Sequence, residues 1–162
     1  MRHRDEITVH CTASREGVDI GVDEIDEMHR KRGFKKQPKS GRYCGYHVVV
    51  RIDGTIEYGR SVDEDGAHCP PNSKRLGISY VGGLDKNGKP KDTRTEAQKA
   101  SMKSVISAWL IAFPSINKIK GHRDNSPDTN KNGKVDKWEW LKSCPCFPAM
   151  EEYNYLLKFY NR

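Results

Sequence analysis

Residues 45–58 read Gly-Tyr-His-Val-Val-Val-Arg-Ile-Asp-Gly-Thr-Ile-Glu-Tyr, two runs rich in β-branched residues on either side of Asp53-Gly54. β-Branched side chains suit a pleated, half-buried surface, and Asp-Gly suits a type I′ turn, so the stretch predicts a β-hairpin. Outward from it, strands and helices alternate. On the N-terminal side, Ile7–His10 reads as a short strand. Asp23 is placed to cap a helix with Ile25, Met28 and His29 on one face, and Gly33 to end it in a left-handed cap. On the C-terminal side, Leu76–Val81 reads as a strand, and Thr95-Glu-Ala-Gln98 is a capping box. The helix it opens carries Met102, Val105, Ile106, Trp109, Leu110 and Phe113 as one apolar stripe. Pro114 ends that helix, Ile116–Lys120 returns as a strand, and Pro148 opens a closing helix whose inner side is Met150, Tyr153, Leu157 and Tyr160. Helices alternating with strands around one hairpin predict an α/β fold. We expect a single domain over residues 1–162, with a central mixed β-sheet flanked by helices.

Composition narrows the partners. With 29 Lys and Arg against 22 Asp and Glu, the net charge is +7, which suits an anionic partner. The basic residues are scattered with no aromatic interleaving, which argues against nucleic acid as the substrate. No apolar run reaches the length of a membrane span. The start, Met1-Arg-His-Arg, passes directly into a strand pattern with no apolar signal region. The expectation is a protein made in the cytoplasm, with neither nucleic acid nor membrane as partner. Five cysteines, Cys11, Cys44, Cys69, Cys144 and Cys146, are an odd count and argue against a complete disulfide framework. Cys144-Pro145-Cys146 is poorly spaced to bond to itself, so metal binding or burial is the better reading of that pair.

Catalytic zinc typically takes three protein ligands and keeps one position for water. His10 and His122 each follow a predicted strand, where a sheet holds an imidazole in a fixed place, and Cys144 can supply a thiolate. Spacing alone does not show that His10 meets His122. The other histidines have plainer readings. His29 belongs to a helix face and packs, and His47 alternates with Tyr46 along one strand and is structural. His68 sits in a loop bordering the expected cleft, as a substrate contact or an ordinary loop residue.

Five segments occur in one order: Val9-His10-Cys11-Thr-Ala-Ser, Met28-His-Arg-Lys-Arg-Gly33-Phe, Gly45-Tyr46-His47-Val followed by Asp53-Gly-Thr, Gly121-His122-Arg-Asp124, and Lys142-Ser-Cys144-Pro. Together they resemble the zinc-dependent N-acetylmuramoyl-L-alanine amidases, the group that holds the small lysozyme-named amidases of T-odd bacteriophages and the peptidoglycan recognition proteins. The resemblance runs over roughly residues 5 to 160. It implies zinc on His10, His122 and Cys144, with Tyr46 and Lys142 as the catalytic pair. The implied reaction is hydrolysis of the amide joining N-acetylmuramic acid to L-alanine in peptidoglycan. The family places its thiolate directly before proline, which selects Cys144 over Cys146. Non-catalytic recognition proteins of the family lack that thiolate, so its presence favours an enzyme, with a phage or prophage endolysin as the leading role. A non-catalytic peptidoglycan-binding module and a cytoplasmic muropeptide-recycling amidase are the alternatives.

One segment departs from the resemblance. In the small phage enzymes the connection from the second histidine to the Lys-x-Cys motif is much shorter, whereas here an insertion occupies 125–141. Counted from Asp128, it places Asp128, Asn130, Asn132, Lys134, Asp136 and Glu139 at positions one, three, five, seven, nine and twelve, with Gly133 at six. This is the spacing of an EF-hand calcium loop, in which position seven gives only its backbone carbonyl. A solvent-exposed Asn-Gly turn is the plainer reading. Pro127, directly before the loop, excludes a long entering helix. The expectation is a structural calcium that shapes the path to Lys142 and Cys144.

Overall fold

In the computed structural model, which describes residues 2–162, the chain forms β1 (Glu6–Cys11), β2 (Ser14–Arg15), α1 (Val22–Lys31), β3 (Val48–Val50), β4 (Ile56–Tyr58), β5 (Arg75–Tyr80), β6 (Gly83–Leu84), α2 (Glu96–Ala112), β7 (Lys118–Gly121) and α3 (Ala149–Phe159). Five strands make one sheet in the order β4-β3-β5-β1-β7. Only the β3–β4 hairpin is antiparallel; β3–β5, β5–β1 and β1–β7 are parallel. The sheet is therefore mixed, as expected, and its antiparallel member is an edge.

Side chains alternate across the sheet, and the two faces are used differently. Ile7, Val9 and Cys11 of β1 join Leu76, Ile78 and Tyr80 of β5 against Met102, Ile106 and Leu110 of α2 and Tyr153 and Leu156 of α3. This is the main core, and the apolar stripe read from the sequence supplies α2's share of it. The other face carries Thr8, His10 and Ser79, all buried polar groups. There α1 covers only part of the sheet, with Val22 and Ile25 packed on Cys44, Val49 and Val81. Fixing His10 opposite the apolar core is a consequence of strand period alone.

Several local expectations change. The hairpin does not use a type I′ turn: Gly54 N–H donates to Arg51 O (2.9 Å), and among the turn residues only Gly54 is left-handed, at φ 86°. Ile52 and Asp53 form the turn centre, and a β-branched residue resists the positive φ that type I′ requires. Helix α1 starts after Gly21, not Asp23. Its free N–H groups are taken by Glu24, bonded to Gly21 N (2.8 Å), and by Glu57 of β4, bonded to Val22 N. A carboxylate arriving from the edge strand satisfies the helix start, and Asp23 pairs with Arg42 instead. Gly33 ends α1 as expected, with φ 83° and the paired bonds Gly33 N to Arg30 O and Phe34 N to His29 O. Met28 and Met150, expected to be buried, are 45% and 37% exposed. The short strand β2 pairs in parallel with β6 as a separate two-stranded sheet.

Candidate metal centre and cleft

The C-terminal ends of β1 and β7 lie side by side, with Val9 opposite Gly121, so the residues that follow, His10 and His122, emerge together. Their ring centroids are 4.7 Å apart. Cys144 arrives from the far end of the chain: its Sγ lies 3.7 Å from His10 Nδ1 and accepts the Cys11 backbone N–H at 3.3 Å. One ligand atom from each of His10, His122 and Cys144 lies within 4.8 Å of the others, the only such grouping of His, Cys, Asp or Glu among the described residues.

Each member is anchored. The turn His122–Asn125 is tied down by Asp124, which accepts Gly121 N–H (2.8 Å), and by Asn125, which donates to Glu6 (2.8 Å) and accepts from Arg75 (3.0 Å). Arg75 and Glu6 are themselves paired at 3.1 Å, across β5 and β1. The Cys144 segment is held by Tyr80, whose hydroxyl donates to Pro145 O (2.7 Å), and by Arg123 N–H to Cys144 O (2.8 Å). Gly121 lets this segment approach, because a Cβ there would stand 2.6 Å from Pro145 Cδ. Beyond it, Phe147 lies under the guanidinium of Arg94, 3.2 Å from its ring centroid, and Arg94 is paired with Asp92 and Glu152.

The electrostatics suit cation binding by neutral imidazole. Burial holds the His10 pKa well below its usual value, helped by His68, His122 and Lys142. Burial lowers His122 to about 4, with Lys142 and Arg75 adding to the effect. Both rings are thus uncharged at neutral pH and offer a lone pair. The remaining thiols behave differently. The hydrogen bond with Cys144 raises Cys11 to about 12. Contact with Cys11, 3.9 Å away, and burial raise Cys146. Both stay protonated at neutral pH, and Cys144 is the thiol that stands within the His10–His122 grouping. Cys146 is half-buried and left-handed, at φ 71°.

The expected catalytic pair flanks the trio. Tyr46 stands 5.2 Å from the His10 ring, between centroids, and burial raises its hydroxyl pKa, so it is a neutral phenol. It lines a hollow of about 70 Å³ with Thr12, Met28, His29 and Arg32. Lys142 is exposed and lines a second hollow of about 180 Å³ with His122, Asn125, Ser126 and Leu141. Met28, expected in the core, lines the small hollow beside Tyr46. A larger hollow of about 500 Å³ contains His47 and Trp109 and none of the trio. His47 is structural, accepting Gly77 N–H (2.9 Å) and bonding Glu64 O (3.1 Å). His29 is buried, accepts Gly45 N–H (2.8 Å) and stacks on Phe34. His68 lines neither flanking hollow; it is bonded to His10 (2.9 Å). The contacts that position the trio, from Glu6, Arg75, Tyr80 and the Cys11 amide, carry no motif and were missed in the sequence.

The insertion is a tight polar loop. Side-chain oxygens of Asp128, Asn130 and Asn132 accept N–H groups of Asn132, Gly133 and Lys134. Asp136 accepts the amides of Asn130 (3.1 Å) and Asn132 (2.7 Å), and Glu139 accepts N–H groups of Thr129, Asn130 and Asp136. Gly133 takes φ 88°. Its three carboxylates are not gathered as the His-His-Cys trio is.

Residues 2–139 match the N-acetylmuramoyl-L-alanine amidase family profile. The chain belongs to this family. Its relatives include the endolysin of Klebsiella phage KP32, 32% identical over 139 residues that cover 85% of this chain and 86% of the relative. The endolysin of Escherichia phage T7 is 30% identical over 140 residues, covering 86% and 87%. Among solved structures, the amidase LysC from Clostridium intestinale superposes with a TM-score of 0.67 at 23% identity, over 99% of this chain and 87% of that one, a likeness of fold. The family match ends before Lys142 and Cys144, so these two join the site on geometry.

Proposed function

We propose that this amidase hydrolyses the bond between the lactyl carbonyl of N-acetylmuramic acid and L-alanine in peptidoglycan, using zinc on His10, His122 and Cys144. The observation that carries the reading is one buried imidazole, a second imidazole and a thiol, with ligand atoms within 4.8 Å, with Tyr46 beside His10 and Lys142 sharing a hollow with His122. The donor set fits the metal: two neutral imidazoles and one sulfur match a three-ligand catalytic zinc site. When bound, zinc supplies Lewis-acid chemistry, polarising the scissile carbonyl and making water nucleophilic near neutral pH. The chain's own groups do the rest. The Lys142 ammonium, at the open side of the cleft, stabilises negative charge developing on the carbonyl oxygen. Tyr46, a neutral phenol, exchanges a proton with the nucleophile or the leaving nitrogen.

Phage relatives named endolysins, similar over most of both chains, support a role in wall lysis after release from the cell interior. No helix is long and apolar enough to cross a membrane among the described residues. The test is mass spectrometry of digested sacculi beside metal analysis of the purified protein. The expected result is about one zinc per chain and new peptides beginning with L-alanine; cleavage at a glycosidic bond would overturn the reading. Activity on intact sacculi separates an endolysin from a recycling amidase, which would favour soluble muropeptides. Binding without turnover would support the recognition module.

We further infer that the 128–139 loop binds calcium structurally. The left-handed Gly133 at position six and the inward-turned oxygens of Asp128, Asn130 and Asn132 support this. Glu139, at position twelve, would exchange its bonds to Thr129 and Asn130 for the cation.

A further inference from the structure

His68 is the residue whose position departs most from its sequence reading. Its ring makes one well-formed hydrogen bond, Nδ1 to His10 Nε2 at 2.9 Å, and the Arg75 backbone also lies close to it. Its other nitrogen, Nε2, is buried without a partner. An unpaired buried polar atom costs stability, and the bond to His10 is the ring's one close side-chain partner. The surroundings hold it firmly. Asn72 Oδ1 accepts the backbone N–H groups of both His68 (2.9 Å) and Cys69 (3.0 Å), fixing the loop. Gly66 and Gly77 form a slot for the ring: a Cβ on Gly77 would stand 2.6 Å from His68 Cδ2, and one on Gly66 would collide with the same atom. The ring meets His10 edge-on, at an interplanar angle of 83°.

We propose that His68 is a positioning residue for the metal ligand His10, setting both its rotation and its tautomer; this rests on the zinc reading above. His10 Nδ1 faces Cys144 Sγ at 3.7 Å, and Nε2 faces His68. A neutral imidazole carries one N–H. If Nδ1 gives its lone pair to a cation, the proton must sit on Nε2, where it needs an acceptor. His68 Nδ1 is that acceptor, which puts the His68 proton on its own buried Nε2. Such support normally comes from a carboxylate or a backbone carbonyl, and its loss costs about 10–100-fold in metal affinity. Here a second neutral imidazole does the work, with no charge added beside the site.

The test is zinc affinity, measured by competition with a chromophoric chelator on folded protein checked by circular dichroism. His68→Leu keeps the bulk of the ring and removes the acceptor; it should weaken zinc about 10–100-fold. His68→Asn places an amide oxygen near the position of Nδ1 and should recover most of that loss. Long-range 1H–15N correlation on the zinc-loaded wild type should find His10 and His68 both protonated on Nε2. If wild type binds zinc and His68→Leu binds it equally well, or if His68 is protonated on Nδ1, the inference fails while the amidase reading stands. If wild type does not bind zinc, the zinc reading itself fails. A raised KM with unchanged zinc affinity would return His68 to the role of substrate contact.

Discussion

Tyr46 and Lys142 flank the His-His-Cys trio, each lining its own hollow, and neither belongs to the proposed ligand set. Their loss should therefore separate chemistry from metal binding. Lys142→Met should keep zinc and lower kcat by about 10²–10³, the usual effect of removing one group that stabilises a developing oxyanion. Tyr46→Phe should lower kcat by a comparable 10²–10⁴ through loss of proton transfer. Cys144→Ser should lose zinc and activity together. Zinc analysis beside kinetics on defined muropeptides reads all three, and zinc loss in Lys142→Met would remove it from the catalytic role. At this scale the sequence yielded residue types well and contacts poorly. His10, His122 and Cys144 came from the family resemblance of their segments, and the structure gathers their ligand atoms within 4.8 Å of one another. Their supports were not legible: Glu6, Arg75 and Asn125 interact across up to 119 positions, and no local pattern records that.

Among the elements, long periodic ones were the most legible. Helix α2 matches its capping box and stripe, with Thr95 Oγ1 accepting Gln98 N–H at 3.1 Å, because every signal that defines it lies within a few residues. Helix α1 shows the limit, since Glu57 of β4 helps cap it from 35 positions away. The insertion is the element whose behaviour depends most on solution conditions. In the structure its polar groups satisfy one another, with Asp136 and Glu139 each accepting several donors. Leu141 N–H donates to Ser126 Oγ (3.1 Å) and closes its neck beside Lys142. Added calcium should raise Tm, and a calcium-selective chelator should lower Tm and amidase rate while zinc stays bound. Asp128→Ala should abolish the response. Unchanged Tm and rate across these conditions would show the loop to be a self-satisfied polar turn.

Across the whole molecule, buried neutral histidines tie stability to pH. Burial lowers His29 and His47 to about 4 each. Their folded values lie below the ordinary 6.5, so between pH 6.5 and 4 the unfolded chain binds protons that the folded chain does not. Their contribution is complete above about pH 6.5 and is lost as pH falls toward 4. At pH 5 the loss should be roughly 2 kcal/mol for each ring. Urea midpoints at pH 7 and pH 5, on zinc-stripped protein, should show it, and His29→Gln should lose less between the two pH values than wild type. An identical pH dependence in that variant would contradict the assignment. The sequence by itself determined the alternation of strands and helices, the hairpin, the apolar stripe of α2 and the order of the site residues. Each of these depends on period, turn chemistry or residue type over short distances. Only the tertiary structure decided that His10 meets Cys144 across 134 positions, that Met28 is partly exposed beside Tyr46, and that His68 stands behind His10. Those facts come from which strand ends lie side by side in the sheet, and from glycine slots that admit one ring.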